Sequence, residues 1–200
     1  MRSIQALRLG ILGMAAITAA VFGVLYFQGN EVRNTLVSMA DIGGPFRLAS
    51  SSGGFVDSRD LLGKPYGVFF GFTHCPEVCP TTLYEMTRTL EAVGDEAREF
   101  RLFFITVDPE RDTAPMLKDY LSNFDPRMEA LIPTPEELAR IARDFRAIYE
   151  KVPASDGEYT MNHTATVFLI DGKGKLANTI FYIEPPESRI AKIKKLIAGG

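Results

Sequence analysis

Three apolar runs, each about the length of a β-strand, constrain most strongly what this chain can fold into. They are Tyr66–Phe72, Leu102–Val107 and Thr164–Ile170. A strand that is almost continuously apolar, rather than alternating with polar residues, is typical of a strand buried on both faces. Because both faces must then be covered, we expect helices on either side of the sheet that contains these strands.

Four helices are predicted around these runs: Pro80–Val93, Ala114–Asn123, one that opens at Thr134, and one from about Glu187 to Ile197. Thr134 and Glu137 have the spacing of a capping box, and Pro135 occupies the first helical position, where a missing N–H costs nothing. The last helix keeps its apolar residues on one face. The helices therefore alternate with the strands along the chain.

The order of the elements predicts the fold class. The turn-rich stretch Ser50–Gly54 joins two short strand-like segments as a hairpin, and a further strand, Leu176–Tyr182, follows the third apolar run. Strand–helix alternation that closes with a hairpin and a terminal helix indicates an α/β protein, with a mixed sheet and helices on both faces. A thioredoxin-like fold fits this order.

The N-terminal segment has a different character. Leu9–Phe27 is nineteen residues long with Thr18 as its one clearly polar residue, and as a helix it would extend ~28 Å, about the thickness of a hydrocarbon core. Arg2 and Arg8 precede it, which predicts a cytoplasmic N-terminus. We therefore expect a membrane anchor over residues 1–28, a tether over residues 29–40 and a globular domain over residues 41–200.

Two alternatives to the anchor remain open: a signal peptide cleaved near Thr18-Ala19-Ala20, and a soluble helix. The anchor predicts a single-pass protein of the inner membrane. Its globular domain would lie in the periplasm or in the topologically equivalent intermembrane space. Paired thiols can be oxidised in such compartments.

Composition excludes several classes of function. With 22 basic and 25 acidic residues the net charge is −3, so no basic surface is available for nucleic acid. Two cysteines are too few for a disulfide-rich scaffold, and too few for a four-cysteine zinc site within one chain. What remains is a compact domain in which the two cysteines are the candidates for chemistry.

Cys75 and Cys79 lie between the end of a predicted buried strand and the start of a predicted helix. Ligands bind at the carboxyl edge of such sheets, and a helix N-terminus lowers the pKa of nearby thiols. Their spacing of four residues places both sulfurs on one side of a helical turn, where they could form a disulfide or hold one soft metal ion. The structural alternative is a pair of buried, inert cysteines.

A metal held by two thiolates needs further ligands, and the chain has two histidines. His74 directly precedes Cys75 and is expected to point elsewhere. His163 comes just before the third apolar run, which a sheet can bring beside the end of the first. A lone histidine is more often structural, but beside a dithiol His163 becomes a candidate ligand. Met161 is a softer candidate whose alternative role is packing.

The sequence resembles the Sco/SenC family of copper-binding assembly proteins for cytochrome oxidase. The resemblance rests on Gly44-Pro45-Phe46, on the stretch Gly71–Pro80 with both cysteines, on Thr106–Thr113, and on His163, in this order over about 150 residues. It implies a thioredoxin-like fold in which Cys75, Cys79 and His163 hold one copper ion, as Cu(I) or Cu(II). It also implies that Asp108 lies close to the copper.

Asp108 follows the second apolar run and should therefore reach the same edge of the sheet. It has two candidate roles, orienting a copper ligand or capping the turn that Pro109 begins. Arg111 and Asp112 are expected to form a local ion pair.

The leading hypothesis is a membrane-anchored copper metallochaperone that delivers copper to a cytochrome c oxidase subunit, at its dinuclear copper A site, and need not catalyse a reaction of its own. Its partners would be that subunit and an upstream copper donor or thiol reductant. The alternative is an extracytoplasmic thiol–disulfide oxidoreductase that uses Cys75 and Cys79 to reduce partner cysteines before metal insertion. A third hypothesis is a zinc site of two cysteines and one histidine with an open coordination position.

Overall fold

The computed structural model describes residues 19–24, 42–154 and 157–199. Contacts divide the chain into two units, Met1–Ala40 and Asp41–Gly200. Of the predicted span Leu9–Phe27, only residues 19–24 are described, and they are helical. No helix among the described residues is both long and apolar enough to cross a membrane. The predicted tether, residues 29–40, lies outside the described residues.

The globular unit contains strands and helices in an alternating order. The strands are β1 Arg47–Ser50, β2 Phe55–Asp57, β3 Tyr66–Gly71, β4 Arg101–Thr106, β5 Met128–Ile132, β6 Tyr149–Pro153, β7 Tyr159–His163, β8 Thr166–Ile170 and β9 Leu176–Phe181. The helices are α1 Val78–Val93, α2 Ala114–Leu121, α3 Pro135–Phe145 and α4 Pro186–Ile197.

Seven of these strands form one mixed sheet in the order β2–β1–β5–β4–β3–β8–β9. The central strands β3, β4 and β5 are parallel, whereas β8 pairs with β3 and β1 pairs with β5 in the antiparallel direction. All six residues of β3 are buried, as its apolar run predicts. The mixed sheet and the hairpin between β1 and β2 are thus confirmed.

Helices cover both faces of the sheet. Phe70 of β3 packs its ring edge-on against Phe145 of α3, with 5.7 Å between the ring centroids. Gly71, the next residue, faces the opposite way, because a Cβ placed on it would lie 2.9 Å from the Cys79 sulfur of α1. Helices α1 and α3 therefore lie on opposite faces, as the sequence predicted.

The predicted helices are all present, with small differences at their ends. The capping box of α3 forms as expected: the Thr134 hydroxyl accepts the Glu137 N–H, and the Glu137 carboxylate accepts the Thr134 N–H. Helix α1 begins at Val78 rather than at Pro80, because proline is tolerated in the first turn, where its missing N–H breaks no helical hydrogen bond. This difference places Cys79 inside the helix.

Strand β5 and the hairpin formed by β6 and β7 were not predicted from the sequence. The hairpin is a separate two-stranded sheet, with Tyr149 of β6 opposite His163 of β7. Three of the five residues of β6 are exposed, so its sequence lacks the apolar pattern of a core strand. This hairpin matters because His163 is its last residue.

Candidate metal site

The two cysteines lie on either side of the start of α1. Cys79 occupies the first turn of α1, and its backbone N–H donates to the Cys75 sulfur at 3.3 Å. The Cys75 sulfur therefore takes a place that a capping side chain would fill at a helix N-terminus. Cys75 is 9% exposed and Cys79 is completely buried, so Cys75 is the sulfur nearer to solvent.

Gly71 makes room for the Cys79 sulfur. A Cβ at this position would lie 2.9 Å from the sulfur and 2.6 Å from a ring carbon of Phe104. Both distances are shorter than van der Waals contact, so the backbone of β3 can lie against the sulfur only because residue 71 has no side chain. This role of Gly71 could not be predicted, because a glycine at the end of a strand gives no indication in the sequence of which side chain packs against it.

His163 completes the group. Its Nε2 atom lies 3.3 Å from the Cys79 sulfur and 3.9 Å from the Cys75 sulfur. Its Nδ1 atom lies 3.2 Å from the backbone carbonyl of Thr164. A carbonyl can only accept, so this contact assigns the ring proton to Nδ1 and leaves the Nε2 lone pair facing the two sulfurs. This is how a metal-binding histidine is commonly held in place.

Aromatic neighbours fix the plane of the imidazole. Phe72 and Phe69 pack edge-on against the His163 ring, with centroid distances of 5.8 Å and 6.1 Å. Both phenylalanines are at most 1% exposed, so they belong to the rigid core beneath the site. The ring of His163 is therefore held by packing as well as by its hydrogen bond.

The two sulfurs and the imidazole nitrogen all lie within 4.8 Å of one another. Metal–thiolate bonds are ~2.3 Å and metal–imidazole bonds ~2.0 Å, so one ion can join donor atoms up to about 4.6 Å apart. The three atoms can thus hold one metal ion with little movement. Both cysteines are free thiols, and closing them into a disulfide would require an S–S distance of ~2.05 Å.

The two thiols share one negative charge. A hydrogen bond from the Cys79 thiol lowers the pKa of Cys75 to about 4 against the opposing effect of burial, and backbone N–H groups assist. The same hydrogen bond and burial raise the pKa of Cys79. At neutral pH the pair therefore carries a thiolate on Cys75 and a thiol on Cys79, and a metal that binds both must displace one proton.

A buried carboxylate, Asp112, holds the loop that carries Cys75. It accepts hydrogen bonds from the Thr73 N–H at 3.2 Å and from the hydroxyls of Thr73 and Thr106 at 2.5 Å. The predicted ion pair between Arg111 and Asp112 is therefore wrong. Arg111 pairs instead with Asp108, which frees Asp112 to join the ends of β3 and β4.

Asp108 is 3% exposed, and its carboxylate binds Arg111 and accepts a hydrogen bond from the Tyr159 hydroxyl at 2.9 Å. Its backbone carbonyl accepts the N–H groups of Arg111 and Asp112, so it also closes the turn that follows β4. Within the described part of the chain, the cluster of candidate ligand atoms is Cys75, Cys79 and His163, without Asp108.

His74 and Met161 are the two remaining candidates. His74 is exposed, with Nδ1 3.0 Å from the Thr73 hydroxyl and 3.9 Å from the Asp112 carboxylate. Met161 is 9% exposed and packs in the core, as its alternative role predicted.

The comparison with known proteins gives the family. The sequence matches the SCO1/SenC family over residues 34–198. It is 33% identical to the SCO2-like protein of Rickettsia felis over 77% of this chain and 76% of that protein. It is 36% identical to the mitochondrial SCO1 homolog 1 of Arabidopsis thaliana over 66% of this chain, which spans 40% of the length of that relative.

A solved structure resembles the globular unit. The structure of Bradyrhizobium japonicum ScoI with copper bound is 44% identical and superposes with a TM-score of 0.71 over 78% of this chain and 99% of that one. The family match covers most of the sequence. It agrees with the mixed sheet, which has helices on both faces, and with the dithiol at the strand–helix junction. The chain belongs to the SCO1/SenC family.

Proposed function

We propose that this protein is a copper metallochaperone that holds one copper ion on Cys75, Cys79 and His163. The observation that carries the proposal is the approach of the two sulfurs and the imidazole nitrogen to within 4.8 Å. Thiolates are soft ligands that select Cu(I), and imidazole suits Cu(II) as well. The copper-bound structure of Bradyrhizobium japonicum ScoI supports this choice of metal over zinc.

The burial of the site sets how copper would leave it. Cys79 is completely buried, whereas Cys75 is 9% exposed and His163 is half-buried. Three protein ligands leave the coordination of copper incomplete, so a ligand of the partner can bind before one of the three is released. The incoming ligand must approach beside Cys75 and His163, because Cys79 lies against the sheet.

The partner we propose is a cytochrome c oxidase subunit, with its copper A site as the destination. This rests on the resemblance of the cysteine and aspartate motifs to the Sco/SenC assembly proteins. An upstream copper donor or thiol reductant would load the site. We also propose that the Leu9–Phe27 segment anchors the protein in the inner membrane, with the copper site in the periplasm or the intermembrane space.

A thiol–disulfide oxidoreductase is the second candidate, and the lowered pKa of Cys75 favours it. The Cys75 thiolate would attack a disulfide of the partner and form a mixed disulfide, releasing one partner thiolate. Cys79 would then lose its proton and attack the Cys75 sulfur, releasing the second partner thiolate. The partner gains the two electrons, and the Cys75–Cys79 pair is oxidised. This sequence of steps makes no direct use of His163.

His163 therefore separates the two functions, and His74 provides a matched control. The reduced full chain, wild type, His163→Ala and His74→Ala, is titrated with Cu(I) and with Cu(II). Substitutions of residues that only contact a metal ligand lower metal affinity ~10–100-fold. His163→Ala removes a ligand itself, so its Cu(II) affinity should fall by at least that factor. Cu(I) can remain on two sulfurs and should be affected less. His74→Ala should bind both ions as the wild type does, because its imidazole lies outside the ligand cluster.

The same variants decide the function in cells. If copper delivery is the function, His163→Ala should fail to support oxidase assembly while keeping a normal dithiol reduction potential. Full assembly by a His163→Ala protein that retains no Cu(II) would reject the chaperone and leave the oxidoreductase. A wild-type protein that binds no copper in either oxidation state would reject the copper site itself.

A further inference from the structure

One face of strand β7 carries residues that contact the candidate metal site and the core. Tyr159, Met161 and His163 occupy every second position of the strand, so their side chains lie on the same face. His163 contacts the two sulfurs, and Met161 is buried in the core. Tyr159 occupies the far end of this face, ~13 Å along the strand from His163 at ~3.3 Å per residue.

The hairpin that carries this face is not part of the main sheet. Strand β7 pairs with β6, and the two form a sheet of their own. His163 is itself not paired with the seven-stranded sheet, although residues 164–165 connect it directly to β8 of that sheet. Beyond this connection, the orientation of the hairpin depends on contacts between its side chains and the rest of the domain.

Tyr159 provides several contacts of this kind. Its hydroxyl donates to Asp108 at 2.9 Å, and the Arg111 guanidinium carbon lies 3.6 Å from the centre of its ring. Arg111 also donates to the backbone carbonyl of Tyr159 at 2.9 Å. The Lys151 ammonium lies 3.9 Å from the centre of the same ring and pairs with Glu110 at 2.7 Å.

Asp108 makes this contact rigid. Its carboxylate is 3% exposed and directly follows β4, and its backbone carbonyl closes the turn. A buried carboxylate must be fully hydrogen-bonded, and Arg111 and Tyr159 provide its partners. The Tyr159 hydroxyl is thus attached to a fixed point at the carboxyl edge of the main sheet.

We propose that Tyr159 is a positioning residue for copper, whose hydroxyl, held by Asp108, fixes the β6–β7 hairpin so that the His163 imidazole faces the two thiols. The inference rests on the proposed function, and it gives Asp108 a role through Tyr159 rather than through direct contact with copper. Metal-site geometry must be held to within ~0.5 Å, and support at both ends of the β7 face provides that precision.

The direct test removes the hydroxyl alone. Tyr159→Phe in the full chain keeps the ring between Arg111 and Lys151 but leaves Asp108 without its tyrosine donor. We expect Cu(II) affinity to fall about 10-fold, with weaker nitrogen coupling in the Cu(II) electron paramagnetic resonance spectrum, and Cu(I) affinity to change less than ~3-fold. The control Tyr84→Phe removes an exposed tyrosine hydroxyl on α1 and should change neither.

A second measurement needs no copper. Hydrogen–deuterium exchange of the metal-free protein should accelerate about 5-fold or more over residues 159–163 in Tyr159→Phe, because a hydrogen bond to a buried charge is lost. Exchange in β3 and β4 should stay at wild-type rates, which shows that the domain has remained folded. Unchanged exchange in the hairpin would overturn the inference even if copper binding were affected.

Asp108 and Tyr159 should also be coupled. If Asp108 acts through Tyr159, the losses of Cu(II) affinity in Asp108→Asn and Tyr159→Phe should be clearly less than additive in the double variant. Additive losses would show that Asp108 acts independently and would overturn this part of the inference. If the wild type binds no copper but Tyr159→Phe still frees the hairpin, the proposed function fails and the positioning contact stands.

Discussion

The Nε2 atom of His163 lies 3.3 Å from the sulfur of Cys79, although 84 residues separate them in the sequence. Cys79 is fixed by the first turn of α1 on the main sheet, whereas His163 ends a hairpin outside that sheet. The two parts of the site are thus held by different structural elements. A change that shifts the hairpin relative to the sheet therefore moves the imidazole of His163 and leaves the two thiols in place.

The unequal thiols predict a selective reaction. Since the pKa of Cys75 is about 4, its thiolate fraction rises with pH through that value and is nearly complete at pH 6, where an ordinary thiol with a pKa of ~8.5 is almost fully protonated. At pH 6 a thiol reagent should therefore modify Cys75 and spare Cys79, as peptide mass spectrometry can measure. Cys79→Ala removes the hydrogen-bond donor and should raise the pH midpoint for Cys75. A wild-type midpoint near the ordinary value would contradict the shared charge.

Copper and a disulfide should exclude one another. A disulfide has no thiolate to donate, so oxidation of Cys75 and Cys79 should abolish stoichiometric copper binding. Bound copper should in turn protect both thiols from alkylation, and removal of the metal by a chelator should restore their reactivity. Copper retained at one equivalent by the fully oxidised protein would show that its ligands are elsewhere.

The membrane topology is a prediction from the N-terminal sequence alone. Arg2 and Arg8 precede the apolar segment, so we expect residues 30–200 outside the cytoplasm and an N-terminus that is not removed. The intact mass of the protein extracted from membranes should include residues 1–28. A mature chain that begins near residue 21 would indicate a cleaved signal peptide instead.

Most of the main sheet could be predicted because β3, β4 and β8 lie in apolar runs and the helices carry end signals such as Thr134 and Glu137. Strand β5 was missed because Glu129 interrupts its apolar residues. The three candidate ligands could be singled out because cysteine and histidine are few in this chain. The hairpin could not be predicted, since β6 is largely exposed and lacks a period that distinguishes a strand from a loop.

The ion-pair partners of charged residues could not be predicted from the sequence either. Arg111 lies beside Asp112 in the chain, yet it pairs with Asp108 and donates to the carbonyl of Tyr159, 48 residues away. Short spacing favours a local pair only while no better partner exists in three dimensions. The roles of Gly71 and Tyr159 depend on such long-range contacts in the same way, and a single sequence does not contain them.

Gly71 should be required for the site as well as for the fold. In Gly71→Ala the new Cβ would lie 2.9 Å from the Cys79 sulfur, so the sulfur must move away from its place beside His163. We expect a loss of ~1–3 kcal/mol in the free energy of unfolding, together with weaker copper binding. The matched control is Gly67→Ala on the same strand, whose Cβ would meet Leu102 at 2.7 Å, away from the sulfurs. It should lose similar stability but keep the copper affinity of the wild type, and equal copper affinities in the two variants would contradict the role of Gly71.

Tyr120 of α2 provides a test in which stability should rise. Its hydroxyl is buried and has no hydrogen-bond partner among the described residues, while its ring packs against Phe104 and Phe124. Burial, together with the nearby cysteines and Asp112, raises its pKa, so the hydroxyl stays protonated and adds the cost of an unsatisfied donor. Tyr120→Phe removes that cost and keeps the ring, so we expect the free energy of unfolding to increase by about 1 kcal/mol in urea denaturation. Tyr84→Phe, at an exposed position, should change it by less than ~0.5 kcal/mol. A Tyr120→Phe protein less stable than the wild type would show that the hydroxyl makes a favourable contact in solution.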